Sequence, residues 1–319
     1  MKILVTGTSG FIGFHLTKEL LAQGHHVTGV DNHDPYYDIS LKLKRLSNLK
    51  SKNFRFVHKS IENDLSQLNG NYDIAINLAA QAGVRVSKDR EKKYEETNIY
   101  GFQNLCKFCE NNSIEKILYA SSSSVYDGSK IKEFFESSSR LNPKSLYGKS
   151  KLLNEKYASL FSEKTGFSLI GLRFFSVYGP YGRPDMAYYK FTDSILKNRI
   201  IELNNNGEML RDMTYIDDIV SGIIGAIKYV MNKNEKCNEI FNLGNSKPIK
   251  THDLLVTIEK ILNKKGTVVK KRTINEAFCT HANIEKAKKE LGYDPKISFE
   301  KGIINFLDWY ESYEKQKKS

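Results

Sequence analysis

The chain of 319 residues predicts an α/β protein, a doubly wound parallel sheet with a smaller α/β unit that is mostly C-terminal. Three observations point there. Short apolar runs alternate with amphipathic stretches of helical period as far as Phe175. A glycine-rich turn joins the first apolar run to the first helical stretch. After Phe175 the alternation breaks into loops, turns and helices. Alternating strands and helices imply a parallel sheet covered on both faces, because each right-handed crossover lays a helix across it. The length suits one large domain or two closely joined ones, at roughly 150 residues each.

Taken in order, Lys2-Ile3-Leu4-Val5-Thr6 reads as a short buried strand. A helix over 13–24 stops at Gly24, a residue suited to the left-handed C-cap. Strands follow at 26–30, 54–58, 73–78, 117–121 and 168–174, with helices over 41–49, 91–111 and 148–165 between them. Residues 176–184, rich in Gly, Pro and Tyr, read as loop. Helices over 188–198, 216–231, 252–262, 284–292 and 299–313 come next, with a strand over 239–243 and a turn at Asn204-Asn205-Asn206-Gly207. The last residues, 315–319, read as a fraying polar tail.

Composition excludes several classes. At 40% hydrophobic residues the chain is too apolar for disorder. It has no run of about 18 uncharged apolar residues, and its first apolar run breaks at Gly7 instead of extending into a signal peptide. A cytoplasmic protein without a membrane partner is expected. Lys and Arg number 49 against 37 Asp and Glu, a net charge of +12. The cations gather at 42–45, 264–272, 286–289 and 315–318, on expected helix faces and tails with no single stripe, so most read as surface. No motif interleaves aromatic with basic residues, which argues against nucleic acid. Cys106 and Cys109 share a helix face with Phe102 and Leu105 and read as core, with Cys237 and Cys279 far away. No metal site is expected.

Gly7-Thr8-Ser9-Gly10-Phe11-Ile12-Gly13 carries the first chemistry. Its glycines permit a tight turn, close approach of backbone to a pyrophosphate, and close helix–strand packing. The helix N-terminus adds unpaired N–H groups and partial positive charge. Asp31, at the end of the second strand, is placed to accept hydrogen bonds from an adenosine ribose. Asn32-His33 follow it, with no adjacent Arg or Lys to receive a 2′-phosphate, so NAD is expected over NADP.

Tyr147-Gly148-Lys149-Ser150-Lys151 sets a phenol and an ammonium at i and i+4, on one helix face. Tyr titrates near 10 and is a poor base at neutral pH. A nearby cation favours the phenolate and brings it toward working range. Upstream, Ser121-Ser122-Ser123-Ser124-Val125-Tyr126 sets hydroxyls at the C-terminal end of the fifth strand, where doubly wound sheets bind ligands.

With these motifs the chain resembles the extended short-chain dehydrogenase/reductase family, the NAD-dependent nucleotide-sugar epimerases and dehydratases, over nearly its whole length. Within that family it looks most like the UDP-glucuronate 4-epimerases. The segments that carry the finer match are Tyr36-Tyr37-Asp38-Ile39-Ser40-Leu41-Lys42, Ala79-Ala80-Gln81-Ala82-Gly83-Val84-Arg85, Leu172–Pro180 with Gly182–Ala187, and Arg211–Ile219. The resemblance implies a Rossmann-type NAD domain over 1–175 with about 212–243. A nucleotide-sugar domain would take about 176–211 with 244–319.

The resemblance also implies roles. Tyr147 would be the base on the sugar 4-hydroxyl, Lys151 would bind the nicotinamide ribose and tune Tyr147, and Ser122 would complete the set. NAD would meet Gly7, Gly10, Phe11, Ile12, Gly13, Asp31, Asn32, Ser60, Ile61, Leu78, Ala79, Ala80 and Gln81, with Asn98 supporting the network on the cofactor side. The UDP-sugar would meet Ser122, Ser123, Ser176, Arg183, Arg211 and Glu276. Arg85 would meet its phosphate or carboxylate, or else form a surface salt bridge. Where relatives carry an Asp after the third strand this chain has Ser60, and Asp127 stands where Gly is usual, so an altered turn is expected there. Glu276 is a longer substitute for a ribose-binding Asp, and Asn283 replaces a common Asp.

Dehydratases of the family place Asp-Glu directly after the catalytic Thr, whereas Ser123 and Ser124 hold those positions here and offer no carboxyl. The resemblance therefore implies a 4-epimerase: hydride abstraction at C4, rotation of a 4-keto intermediate, and hydride return. A UDP-glucuronate decarboxylase, a neutral UDP-hexose 4-epimerase and a non-catalytic NAD-bound regulatory or RNA-binding protein stay open. A homodimer is implied through the helices over 91–111 and 148–165. Phe102, Leu105, Leu153, Tyr157 and Leu160 form either that interface or core.

Overall fold

The computed structural model describes residues 1–68, 70–128, 133–138, 141–273 and 277–318. In chain order the elements are β1 (Lys2–Thr6), α1 (Phe11–Ala22), β2 (His26–Asp31), α2 (Ile39–Ser47), β3 (Phe54–His58) and β4 (Ile74–Asn77). There follow α3 (Glu91–Tyr94), a π-helical stretch (Glu95–Tyr100), α4 (Gly101–Asn111), β5 (Lys116–Ser122), α5 (Leu146–Thr165) and β6 (Ser168–Phe174). Next are β7 (Ser176–Tyr178), α6 (Ala187–Leu196), β8 (Ile200–Asn204), β9 (Leu210–Tyr215) and α7 (Ile216–Met231). The chain closes with β10 (Asn238–Leu243), β11 (Pro248–Lys250), α8 (Thr251–Leu262), β12 (Thr267–Lys271), α9 (Glu285–Leu291) and α10 (Phe299–Lys318).

Seven parallel strands form the central sheet in the order β10-β6-β5-β4-β1-β2-β3. Residue alternation divides β1 between its faces. Ile3 and Val5 pack in the larger cluster with Leu16, Ile223 and Ile227, while Leu4 packs on the other face with Phe102, Leu105 and Phe161. The order reverses at β1, which lies between β4 and β2, and a crevice opens beyond the C-terminal ends of β1 and β4.

The smaller sheets differ from expectation. Residues 176–184 read as loop in the sequence, but β7 pairs parallel with β9, and β11 pairs antiparallel with β9 on its other side. A strand of three residues among Gly and Pro is too short to show a period of two. β8 and β12 form a second parallel pair. The polar tail is helical through Lys318, and Lys317 Nζ reaches Asp38 at 3.2 Å. The cations at 42–45 are not all surface: Lys42 is buried, and Arg45 has no exposed area at all. Leu43 and Lys44 point the other way, so a helix whose cations read as surface is buried on a basic face.

Cys106 and Cys109 lie in the cluster with Phe102 and Leu105, and burial pushes both thiols up. Phe102 and Leu105 are core, whereas Leu153 (48% exposed) and Leu160 (66%) face outward. Among the described residues no helix is long and apolar enough to cross a membrane.

A buried polar network ties α5 to the sheet. Arg173 Nε and Nη2 donate to the two Glu155 carboxylate oxygens at 2.8 and 2.7 Å. Ser121 Oγ donates to Glu155 Oε1 at 2.5 Å, and Arg173 Nη1 donates to Tyr126 Oη at 2.7 Å. Tyr126 in turn donates to Asn242 Oδ1 at 2.8 Å. Removing one member of a buried ion pair strands the other charge at a cost of about 3–5 kcal/mol. Arg173→Met should therefore lower the urea-unfolding free energy by about that amount, and a loss under about 1 kcal/mol would show that the pair carries little of the fold.

Candidate active site

Gly7 leaves β1 with φ +73°, and a Cβ there would lie 2.7 Å from the Ala79 nitrogen. One at Gly13 would lie 2.0 Å from the Gly7 carbonyl oxygen. The loop thus accepts no side chain at either point, which leaves its backbone bare at the crevice. Gly10 N-caps α1, so the first-turn N–H groups of that helix open toward the crevice. Asp31 is oriented by two backbone donors, Ser9 N to Oδ2 at 3.0 Å and His33 N to Oδ1 at 2.8 Å. Asn32 Nδ2 donates to Ser60 Oγ at 2.8 Å, so Ser60 fixes an amide at the adenosine end.

From this loop a cleft of about 1410 Å³ runs past β4 and β5 to α6, β8 and β9. Gly7, Gly10, Phe11, Ile12, Gly13, Asp31, Asn32, Ser60, Ile61, Leu78, Ala79, Ala80, Gln81, Arg85, Ser122, Ser123, Tyr147, Lys151, Ser176, Arg183 and Arg211 all line it. Glu276 lies outside the described residues. Asn98 stands behind the wall, buried, where its Oδ1 accepts from Gln81 N at 2.8 Å. Its Nδ2 donates to Gln81 O at 3.0 Å and to Ser150 Oγ at 3.1 Å, and Ser150 donates to Tyr147 O at 2.8 Å. One amide therefore joins the β4 exit to the first turn of α5. The π stretch that contains Asn98 interrupts a run that reads as one continuous helix, as such insertions often do at functional sites.

Tyr147 is half-buried on the first turn of α5, whose N-cap Ser145 accepts from Gly148 N at 3.0 Å. Burial raises its pKa, opposed by the Arg183 charge and by a hydrogen bond with Ser122. Lys151 Nζ lies 5.6 Å from the centre of the Tyr147 ring, within cation–π range. Lys151 is 1% exposed, and among the described residues no carboxylate pairs with it. Burial lowers its pKa to about 8. Arg183, expected only to touch substrate, is therefore also an electrostatic partner of the phenol.

Arg183 is held by Asp185, with Nε to Oδ1 at 3.0 Å and Nη2 to Oδ2 at 2.5 Å, and lies 5.9 Å from the Tyr36 ring centre. Sequence reasoning missed the group beside it. Arg90 donates to Asp34 Oδ1 at 2.8 Å and Gln81 Oε1 at 2.7 Å, while Gln81 Nε2 donates to Asp34 Oδ2 at 3.0 Å. Lys42 also lines the cleft, with its ammonium 5.2 Å from the Tyr37 ring centre. Tyr36 and Lys42 stand in a segment that carried the family likeness, so the signal was present without a role attached. At the altered turn, Asp127 pairs with Lys144 at 3.8 Å and Gly128 takes the tight place, where a Cβ would lie 2.4 Å from Ala277 Cβ.

The glycine cradle, the oriented Asp31 and the buried Lys151 fit a dinucleotide with a diphosphate and two riboses. Residues 3–244 match the model of the NAD-dependent epimerase/dehydratase family. The chain belongs to that family.

Relatives span it end to end. It is 39% identical to Protein CapI of Staphylococcus aureus, over 99% of this chain and all of that one. It is also 39% identical to UDP-glucuronate 4-epimerase 2 of Arabidopsis thaliana, over 99% of this chain and 77% of that one. UDP-glucuronic acid 4-epimerase of Bacillus cereus, solved with UDP-glucuronic acid and NAD, superposes with a TM-score of 0.92 at 34% identity, over 98% of this chain and all of that one. The sheet is thus of Rossmann type, and the enzyme is NAD-dependent.

Lys151 makes the cleft pH-sensitive in a defined direction. Its ammonium is charged below about pH 8 and is lost as pH rises through that value. The unfolded chain holds that proton to about pH 10.4. Stability from this group therefore rises between the two values, while the positive charge beside the Tyr147 ring is lost. Turnover should show an alkaline limb near pH 8. Lys151→Arg, which stays charged, should be about 10- to 100-fold slower at pH 7 yet lack the limb. A limb unchanged in Lys151→Arg would assign it to another group.

Proposed function

We propose that the protein is an NAD-dependent 4-epimerase acting on UDP-glucuronate to give UDP-galacturonate. The observation that carries this reading is the phenol of Tyr147, hydrogen-bonded to Ser122 beside the hydroxyls of Ser122, Ser123 and Ser124, with no carboxyl among those three residues. Bound NAD supplies a hydride acceptor at C4 and returns the hydride.

The chain's own residues do the rest. Tyr147 takes the 4-hydroxyl proton and gives it back on the other face. Ser122, donating to the phenol oxygen, and the charge of Arg183 both favour the phenolate against the cost of burial. Arg211 and Arg183 anchor the diphosphate, so the sugar turns about its linkage without leaving. The hydroxyls of Ser123 and Ser176 hold the sugar carboxylate away from alignment with the C4 carbonyl, because a β-keto acid so aligned loses carbon dioxide. Residues 1–175 with about 212–243 serve NAD, and about 176–211 with 244–319 serve the nucleotide sugar.

The purified protein incubated with UDP-glucuronate should yield a product of unchanged mass with galacturonate resonances. Tyr147→Phe should lower kcat by about 10²- to 10⁴-fold. Loss of carbon dioxide, or turnover of UDP-glucose in place of the uronate, would overturn the assignment.

A homodimer belongs to the same reading, built on α4 and on the outward face of α5 that carries Leu153 and Leu160. Sedimentation equilibrium should give twice the chain mass, reduced to the monomer in Leu160→Asp. A monomeric wild type would contradict it.

A further inference from the structure

Arg45 on α2 is fully buried, and among the described residues no carboxylate meets it. Its guanidinium makes five hydrogen bonds instead. Nε and Nη2 donate to Tyr181 O at 3.0 and 2.7 Å, and Nη2 also reaches Gly182 O at 3.2 Å. Nη1 donates to Ser9 O at 2.9 Å and to Tyr37 Oη at 2.5 Å. A buried cation satisfied by neutral acceptors alone, carbonyls and one phenol, is an expensive way to fill a core, where an apolar side chain packs without the desolvation cost. Its placement explains the expense.

Ser9 belongs to the glycine loop at the cofactor end. Tyr181 and Gly182 form the turn that leads directly into Arg183 at the sugar end. That turn is not self-supporting: Tyr181 has φ +57°, a backbone that residues with a side chain avoid, and a Cβ on Gly182 would lie 1.7 Å from Tyr188 Oη. Arg45 gives the strained Tyr181 carbonyl two donors and holds the Ser9 carbonyl with the same planar group. One rigid fork thus fixes two loops that lead into the cleft, at Gly10 and at Arg183, which a lysine ammonium cannot reproduce.

We propose that Arg45 is a positioning residue that couples retention of NAD on the glycine loop to placement of Arg183 at the sugar. The inference rests on the reading of the cleft as an NAD and UDP-sugar site. Because both loops are held by one planar guanidinium, order imposed at one end is felt at the other, and the coupling is reciprocal.

The test uses the NAD-loaded enzyme, with UDP as the probe. In the wild type, saturating UDP should slow NAD release by about tenfold. In Arg45→Lys and in Tyr37→Phe, which removes one of the fork's acceptors, NAD should leave faster and the UDP effect should shrink to within about twofold. An equal UDP effect in all three proteins would overturn the proposal. Amide exchange needs no nucleotide sugar: both variants should exchange faster at 7–10 and at 179–184 together, whereas a change confined to α2 would again overturn it. If Arg45→Lys does not fold, Tyr37→Phe carries both measurements. Failure of UDP to bind the wild type would instead contradict the functional reading, and amide exchange would still decide the role of Arg45.

Discussion

The chemistry of the cleft depends on keeping one ammonium, Lys151, inside the protein without a carboxylate against it. A carboxylate at contact distance would neutralise its field at the Tyr147 ring, 5.6 Å away. Burial alone does the opposite: it lowers the lysine pKa to about 8 and strengthens whatever the charge acts upon. The same desolvation works against the reaction at Tyr147, whose phenol is raised, so the site must supply favourable terms from elsewhere. Arg183 and Ser122 are those terms.

Holding such a group in place requires rigidity one layer back. Glu155, one turn beyond Lys151 on α5, is locked to Arg173 on β6 and to Ser121 at the end of β5. That network fixes the helix carrying Tyr147 and Lys151 against the strand carrying Ser122. On the opposite side Asn98 joins the β4 exit to Ser150. Tyr147, Lys151 and Ser122 are thus set by neighbours that are buried and bonded, which suits a reaction that reuses one geometry for two opposite hydride transfers.

What was legible in the chain follows from the range of the interactions. The glycine loop, Asp31, and Tyr147 with Lys151 are local patterns whose spacing reports a turn or a helix face, and all of them line one cleft. The alternation of β1, β4, β5 and β6 with helices likewise set the sheet, because buried parallel strands are continuous apolar runs. Other features depend on partners distant in the chain. β7, β8 and β9 are short or polar and become strands only by pairing with one another or with β11 and β12. The π stretch at Glu95–Tyr100 differs from an α-helix by a shift in bonding that composition does not encode. Arg45 looked like one more surface cation, since its carbonyl partners at Tyr181 and Gly182 leave no mark in sequence. The excess of positive charge therefore has a mixed meaning: much of it is solvated surface, yet Lys42, Arg45 and Lys151 are buried in or behind the cleft.

The most direct test of the account is the fate of hydrogen at C4. UDP-glucuronate carrying deuterium at C4, turned over in ordinary water, should give UDP-galacturonate that keeps the deuterium at C4. In the proposed reaction Tyr147 exchanges only the hydroxyl proton, and the C4 hydrogen never meets solvent. Product with protium at C4, or product that has lost carbon dioxide, would contradict the account.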